Sequence, residues 1–95
     1  MGGRHQKRSV AILVAKRSDG AEVERHEMSL HDYYEELHDI IDSGEYRASR
    51  GIAVLEGRLW DSDGKLVQEF RTRYRPDGAY EGGRVVHADG TVNED

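Results

Sequence analysis

Residues 51–75, GIAVLEGRLWDSDGKLVQEFRTRYR, read as two β-strands folded back on each other at Asp63-Gly64. Glycine supplies the φ > 0 backbone that a tight hairpin turn requires, and a two-residue loop sets the register of the whole pair. That register predicts Arg58 opposite Glu69, Glu56 opposite Arg71, and Gly57 opposite Phe70, where an aromatic ring covers the bare backbone. Leu55, Leu59, Phe70 and Tyr74 then share one face, expected to be the core face. The opposite face carries the two charge pairs, with Trp60 beside Val67, and is expected to be solvated.

The same dipeptide recurs at Asp19-Gly20, Asp77-Gly78 and Asp89-Gly90. The irregular spacing marks these sites as turns and not as a repeat. Pro76 before Asp77-Gly78 also suits a type I turn followed by a glycine bulge. Between the turns lie further strands. Ser9–Ala15 is apolar on both alternating faces, Val10, Ile12 and Val14 against Ala11, Leu13 and Ala15, the pattern of a central strand covered on both sides. Glu22–Met28 is polar enough for an edge. A strand is expected over Ala79–His87, bulged or bent at Gly82-Gly83, with a short one over Thr91–Asn93. Residues 1–8 and 93–95 are expected to be flexible.

Ser29 and Asp32 form a capping box, with Met28 and Tyr33 at the positions of a hydrophobic staple, so the spacing predicts a helix over 30–43 ended by Gly44. At about 100° per residue its buried stripe is Leu30, Tyr34, Leu37 and Ile41, flanked by Tyr33 and Ile40. The expected fold is α+β, a two-layer domain spanning residues 1–95. An antiparallel sheet of five to six strands, in hairpin-helix-hairpins order, packs one face on one amphipathic helix. The core is expected to hold Ile12, Val14 or Leu13, Leu30, Tyr34, Leu37, Ile41, Leu55, Leu59, Phe70 and Tyr74.

With 95 residues, 36% hydrophobic and 35% charged, the core must be thin, which favours completion by a protein partner or a second copy, so a homodimer is the default expectation. The absence of cysteine excludes disulfides and thiolate metal sites. No apolar run is long enough for a membrane span and the N-terminal stretch does not resemble a signal peptide, so a cytoplasmic protein is expected. Arginine supplies 11 of the 14 basic residues and asparagine occurs once, a bias of GC-rich bacterial, archaeal or phage genomes. The net charge of -5 is distributed in blocks, +5 over residues 1–17, -9 over 18–46, +3 over 47–75 and -4 over 76–95. Opposite blocks adjacent in sequence are expected where neighbouring strands pair.

No nucleophile elbow, zinc-protease, P-loop or dinucleotide motif is present, and no enzymatic activity and no cofactor are expected. His31, Glu35 and His38 lie with Asp42 on one helical stripe, and Glu35 with His38 has the spacing of carboxylate-bridged di-metal bundles. A metal-dependent enzyme built on that stripe is the third alternative. It is weakened because the two histidines are about 10.5 Å apart along a helix, too far to share one ion. Asp61-Ser62-Asp63-Gly64 suggests a calcium loop, but Thr72 stands where an EF-hand has its bidentate Glu. Metal binding is therefore not expected.

Two charged surfaces remain. Arg73 and Arg75, with Tyr80 and the basic residues Arg8, Lys16 and Arg17, form a candidate nucleic-acid surface, in which arginines hold phosphates and aromatics stack on bases. Asp32, Glu35, Glu36, Asp39 and Asp42 form an acidic helix face suited to a basic protein partner. The leading expectation is a small interaction or inhibitor module that acts through protein contacts, of phage or mobile-element type. Nucleic-acid binding is the alternative, and no membrane partner is expected.

Overall fold

The computed structural model describes residues 10–94, without the side chains of Leu30, His31 and Tyr34. Six strands form one antiparallel sheet in the order β2-β1-β3-β4-β5-β6. They are β1 (Val10–Lys16), β2 (Glu22–Ser29), β3 (Val54–Trp60), β4 (Leu66–Tyr74), β5 (Tyr80–His87) and β6 (Val92–Glu94). Between β2 and β3 the chain crosses β1 through α1 (Leu30–Glu36), α2 (His38–Asp42) and α3 (Gly44–Arg50). The expected two-layer α+β architecture is present. Asn93 and Glu94 pair with Val85 and Arg84, and the other residues expected to be flexible, 1–8 and 95, lie outside the described residues.

All four Asp-Gly sites adopt one turn. The residue three before each glycine accepts that glycine's N–H, as in Gly64 N–H to Asp61 O at 3.0 Å, and its own N–H returns to the residue after the glycine, as in Asp61 to Lys65 at 2.9 Å. The glycines have φ from 82° to 89°. These are type I turns followed by a glycine bulge, the form the sequence suggested at Asp77-Gly78 alone. Asp19, Asp77 and Asp89 each accept the N–H two residues on, whereas Asp61 does this work in the second turn, toward both Asp63 and Lys65.

The bulged turn displaces the register by one residue, and in three hairpins a second irregularity restores it: between Ala15 and Lys16, between Leu59 and Trp60, and between Arg73 and Tyr74. Beyond that point the pairing is the one a two-residue loop imposes, with Arg58 opposite Glu69, Glu56 opposite Arg71 and Gly57 opposite Phe70. Closer to the turn it is not. Trp60 faces Leu66 in place of Val67, and Val67, the extra residue, packs against the core. Phe70 does cover Gly57, since a Cβ there would fall 2.1 Å from the ring. The expected bulge at Gly82-Gly83 is displaced to Glu81, the residue without a partner between Tyr80 and Gly82.

The helical segment departs from the single helix expected. Ser29 caps α1, its Oγ accepting the N–H of Asp32 at 3.3 Å as the capping box requires. The helix breaks at Leu37, where φ is -101° and ψ 13°. Among the described side chains of α1 and α2, Tyr33, Leu37 and Ile40 are buried and Ile41 is half-buried against them. Leu30 and Tyr34, expected in the core, have side chains outside the described part. Gly44 does not end the helix. It opens α3, capped by Ser43 and ended by Gly51 at φ 69°, so the strand expected from Gly51 begins at Val54. The core joins the inner row of β1 (Ala11, Leu13, Ala15, all fully buried) to Leu55, Leu59, Ile52 and the helix residues. Phe70 and Tyr74 pack on its margin.

Candidate functional site

Among the described residues the helices lie on one face of the sheet only, and no second layer covers the outer row of β1. The expected cover on both sides of β1 is met on one side by the helices, and on the other Ile12 is half-buried and Val14, though buried, lies outside the main core cluster. Pairing across β1, β3, β4, β5 and β6 sets Ile12, Arg58, Glu69, Val86 and Val92 in one row of this open face, and Val14, Glu56, Arg71, Arg84 and Glu94 in the next. Lys16, Val54, Arg73 and Gly82 make a third row, and Val10, Trp60 and Leu66 close the opposite end. The face is therefore apolar toward Trp60 and cationic toward Arg73.

A trough of about 630 Å³ runs across these rows, and a second hollow of about 450 Å³ lies between Val10, Ile12, Trp60 and the Asp61–Gly64 turn. Lys16, Arg25, Arg58, Arg71, Arg73 and Arg84 line the trough against Glu56, Glu69 and Glu94, an excess of three cations (six minus three) in a chain whose net charge is -5. Val14 retains 8% exposure on this uncovered face. Long charged side chains shield it by laying their stems along apolar surface. The ion pairs differ in quality: Arg58–Glu69 and Lys16–Glu56 close to 2.7 Å, whereas Arg71–Glu56, Arg84–Glu94 and Arg73–Glu81 stand at 3.5, 3.6 and 3.8 Å.

The residues expected to form a nucleic-acid surface are dispersed. Arg73 and Lys16 share the open face. Tyr80 lies on the helix side, edge-on to Tyr74 at 6.4 Å between ring centres. Arg75 sits in the β4–β5 turn, Arg17 lies beside Gly51 near the end of α3, and Arg8 is outside the described residues. Of the acidic set, Asp32 bonds to Ser29, Glu35 and Glu36 are exposed on α1, and Asp39 and Asp42 flank His38 at 3.5 and 3.7 Å. Among the described residues no three His, Asp or Glu side chains are arranged to hold a metal ion, and the side chain of His31 is not among them. Arg84 was not singled out from the sequence. Applying to Asp77-Gly78 the register rule used at Asp63-Gly64 would have placed it opposite Arg71.

A second polar cluster ties α3 to the edge strand β2. Glu24, with 18% of its side chain exposed, accepts from Tyr46 Oη at 3.1 and 3.0 Å, contacts His26 Nε2 at 2.8 Å and pairs with Arg50 at 3.3 Å. Arg50 also stacks on the Tyr46 ring at 3.7 Å. Desolvation first, then the hydrogen bond to Glu24 and its charge, hold the Tyr46 phenol above its ordinary value of 10.0. The folded chain therefore binds this proton more tightly than the unfolded chain. The resulting stability is complete below pH 10 and lost as the pH rises through the folded value. Tyr46→Phe is expected to lose about 1 kcal/mol at neutral pH, and urea midpoints followed from pH 8 to 12 should fall less steeply than in the parent.

Among the described residues no helix is long and apolar enough to cross a membrane. Comparison with protein-family models, curated proteins and solved structures returned no match.

Proposed function

We propose that this chain is a small protein-interaction or inhibitor module whose working surface is the open face of the sheet. One observation carries the reading: β1 is apolar on both faces, yet its own helices cover only one of them. Ile12, Trp60 and Val86 are left on a face that is apolar at one end and charged at the other, and a non-obligate interface mixes apolar and polar surface in similar proportion. Among the described residues the trough lining has no histidine and no hydroxyl or thiol nucleophile, which favours binding over catalysis. Nucleic acid is the second reading, supported by the cation excess and opposed by the glutamates interleaved among those cations.

A photo-crosslinking residue in place of Ile12, compared with one in place of Glu36 on α1, tests this in cells of the native host. Position 12 is expected to give an adduct of fixed mass that disappears when Trp60→Asp is added, while position 36 gives none. Adducts from position 36 alone would transfer the function to the acidic helix face.

A further inference from the structure

Resting on the reading of the open face as a protein-binding surface, we propose that Arg71, Arg73 and Arg84 form a carboxylate-binding subsite for an acidic segment of the partner. Arg71 and Arg84 are directly opposite on β4 and β5, and Arg73 follows two residues on along the same face. Like charges facing each other across a ladder oppose sheet formation. The acids beside them relieve this only in part. Their contacts, from 3.5 to 3.8 Å, lie beyond hydrogen-bonding distance, and Glu56 gives its closer contact, 2.7 Å, to Lys16. Each guanidinium carries five N–H donors in a planar fork that fits a carboxylate through two parallel bonds. All three side chains are accessible, at 57%, 44% and 58% exposure.

The rest of the face selects the kind of anion. A polyphosphate backbone would run its charges past Glu56, Glu69 and Glu94, whereas a peptide presents carboxylates at separate points with apolar side chains between them. Along the strands the rows of Arg71, Arg84 and Arg73 and the Trp60 end are four to six residues apart, about 13–20 Å at the rise of a strand. An extended partner segment reaches from one to the other by carrying acids at one end and apolar residues at the other. A second copy of the same face is the wrong occupant, because two cation-rich surfaces would meet.

Trp60, the single tryptophan of the chain, reports occupancy of this face. The probes are the peptide Glu-Ser-Glu-Ser-Leu-Ser-Leu, the same peptide with Lys for Glu, and a 12-nucleotide oligothymidylate. The acidic peptide is expected to change Trp60 fluorescence saturably and to shift the Nε–H resonances of Arg71, Arg73 and Arg84, while the lysine peptide does neither. The double variant Arg71→Gln/Arg84→Gln should bind about 10-fold more weakly or worse, the loss of one charge-assisted hydrogen bond. Its melting temperature should equal or exceed that of the parent, since the facing charges are gone, which separates lost binding from lost folding. Equal affinity in parent and variant overturns the arginine subsite and leaves the open-face reading standing. Oligothymidylate binding more tightly than the acidic peptide overturns both in favour of nucleic acid. No response to any probe overturns the subsite, and the crosslinks from position 12 then decide whether the face itself is used.

Discussion

Replacing Arg47 by methionine is expected to lower the unfolding free energy by about 3–5 kcal/mol, among the largest losses available to one substitution in this chain. Arg47 is 6% exposed, and its guanidinium donates to backbone carbonyls. Nη1 donates to Ile40 O at 3.0 Å and Ile41 O at 2.7 Å, and Nε and Nη2 donate to Gly78 O at 3.1 and 2.7 Å. The guanidinium also lies 4.0 Å from the centre of the Tyr74 ring. It thus joins the end of α2 to the β4–β5 turn, using carbonyls that a helix C-terminus leaves without partners. A buried charge is often replaceable at little cost when both members of an ion pair become apolar, but that escape is closed here. The carbonyls of Ile40 and Gly78 stay buried and that of Ile41 partly so after the substitution, and each buried group left unsatisfied costs about 1–3 kcal/mol. Lysine should not rescue, because one ammonium cannot reproduce the planar fork that reaches both sites. Urea denaturation of Arg47→Met and Arg47→Lys measures this. A loss under 1 kcal/mol in both would show that the latch contributes nothing net.

Gly78→Ala is expected to cost about 3 kcal/mol or more, for a reason that separates it from the other turn glycines. A Cβ at Gly78 would fall 2.0 Å from the carbonyl oxygen of Gly44 and 2.9 Å from its Cα. Both are backbone atoms that no rotamer change can move. Gly20, Gly64 and Gly90 have φ of 89°, 82° and 87°, close to the 86° of Gly78, yet nothing lies within 4 Å of a Cβ there. Alanine at those three sites should cost only the left-handed backbone strain, about 1–2 kcal/mol. The difference between the two sets is the contact between α3 and the β4–β5 turn, the same junction that Arg47 closes. Equal losses at all four glycines would mean that this contact adds nothing.

The register of the central hairpin was legible because turn chemistry and charge pairing are local. Asp63-Gly64 placed Arg58 against Glu69 and Gly57 under Phe70 through terms acting within a few residues of the pairing. The same rule missed the pairing of Trp60, since it contains no bulge that displaces the register and a second that restores it. The helix start was legible at Ser29 for a similar reason. The break at Leu37 was not, since nothing in the local spacing of apolar residues marks it.

The candidate site divides in the same way. The apolar rows of β1 and the cations of β3 and β4 could be read as residues, but their meeting on one uncovered face could not. By itself, the sequence determined where the chain turns, which residues face each other across the central hairpin and that β1 suits burial on two sides, because dihedral preference and cross-strand pairing are short-range. Tertiary structure alone decided which side of β1 the helices cover, that Arg47 bridges Ile40, Ile41 and Gly78, and that the Arg71–Arg84 pair lies on the same face as the outer row of β1. Those outcomes depend on how layers and distant strands are placed in space, and no local preference of the chain encodes them.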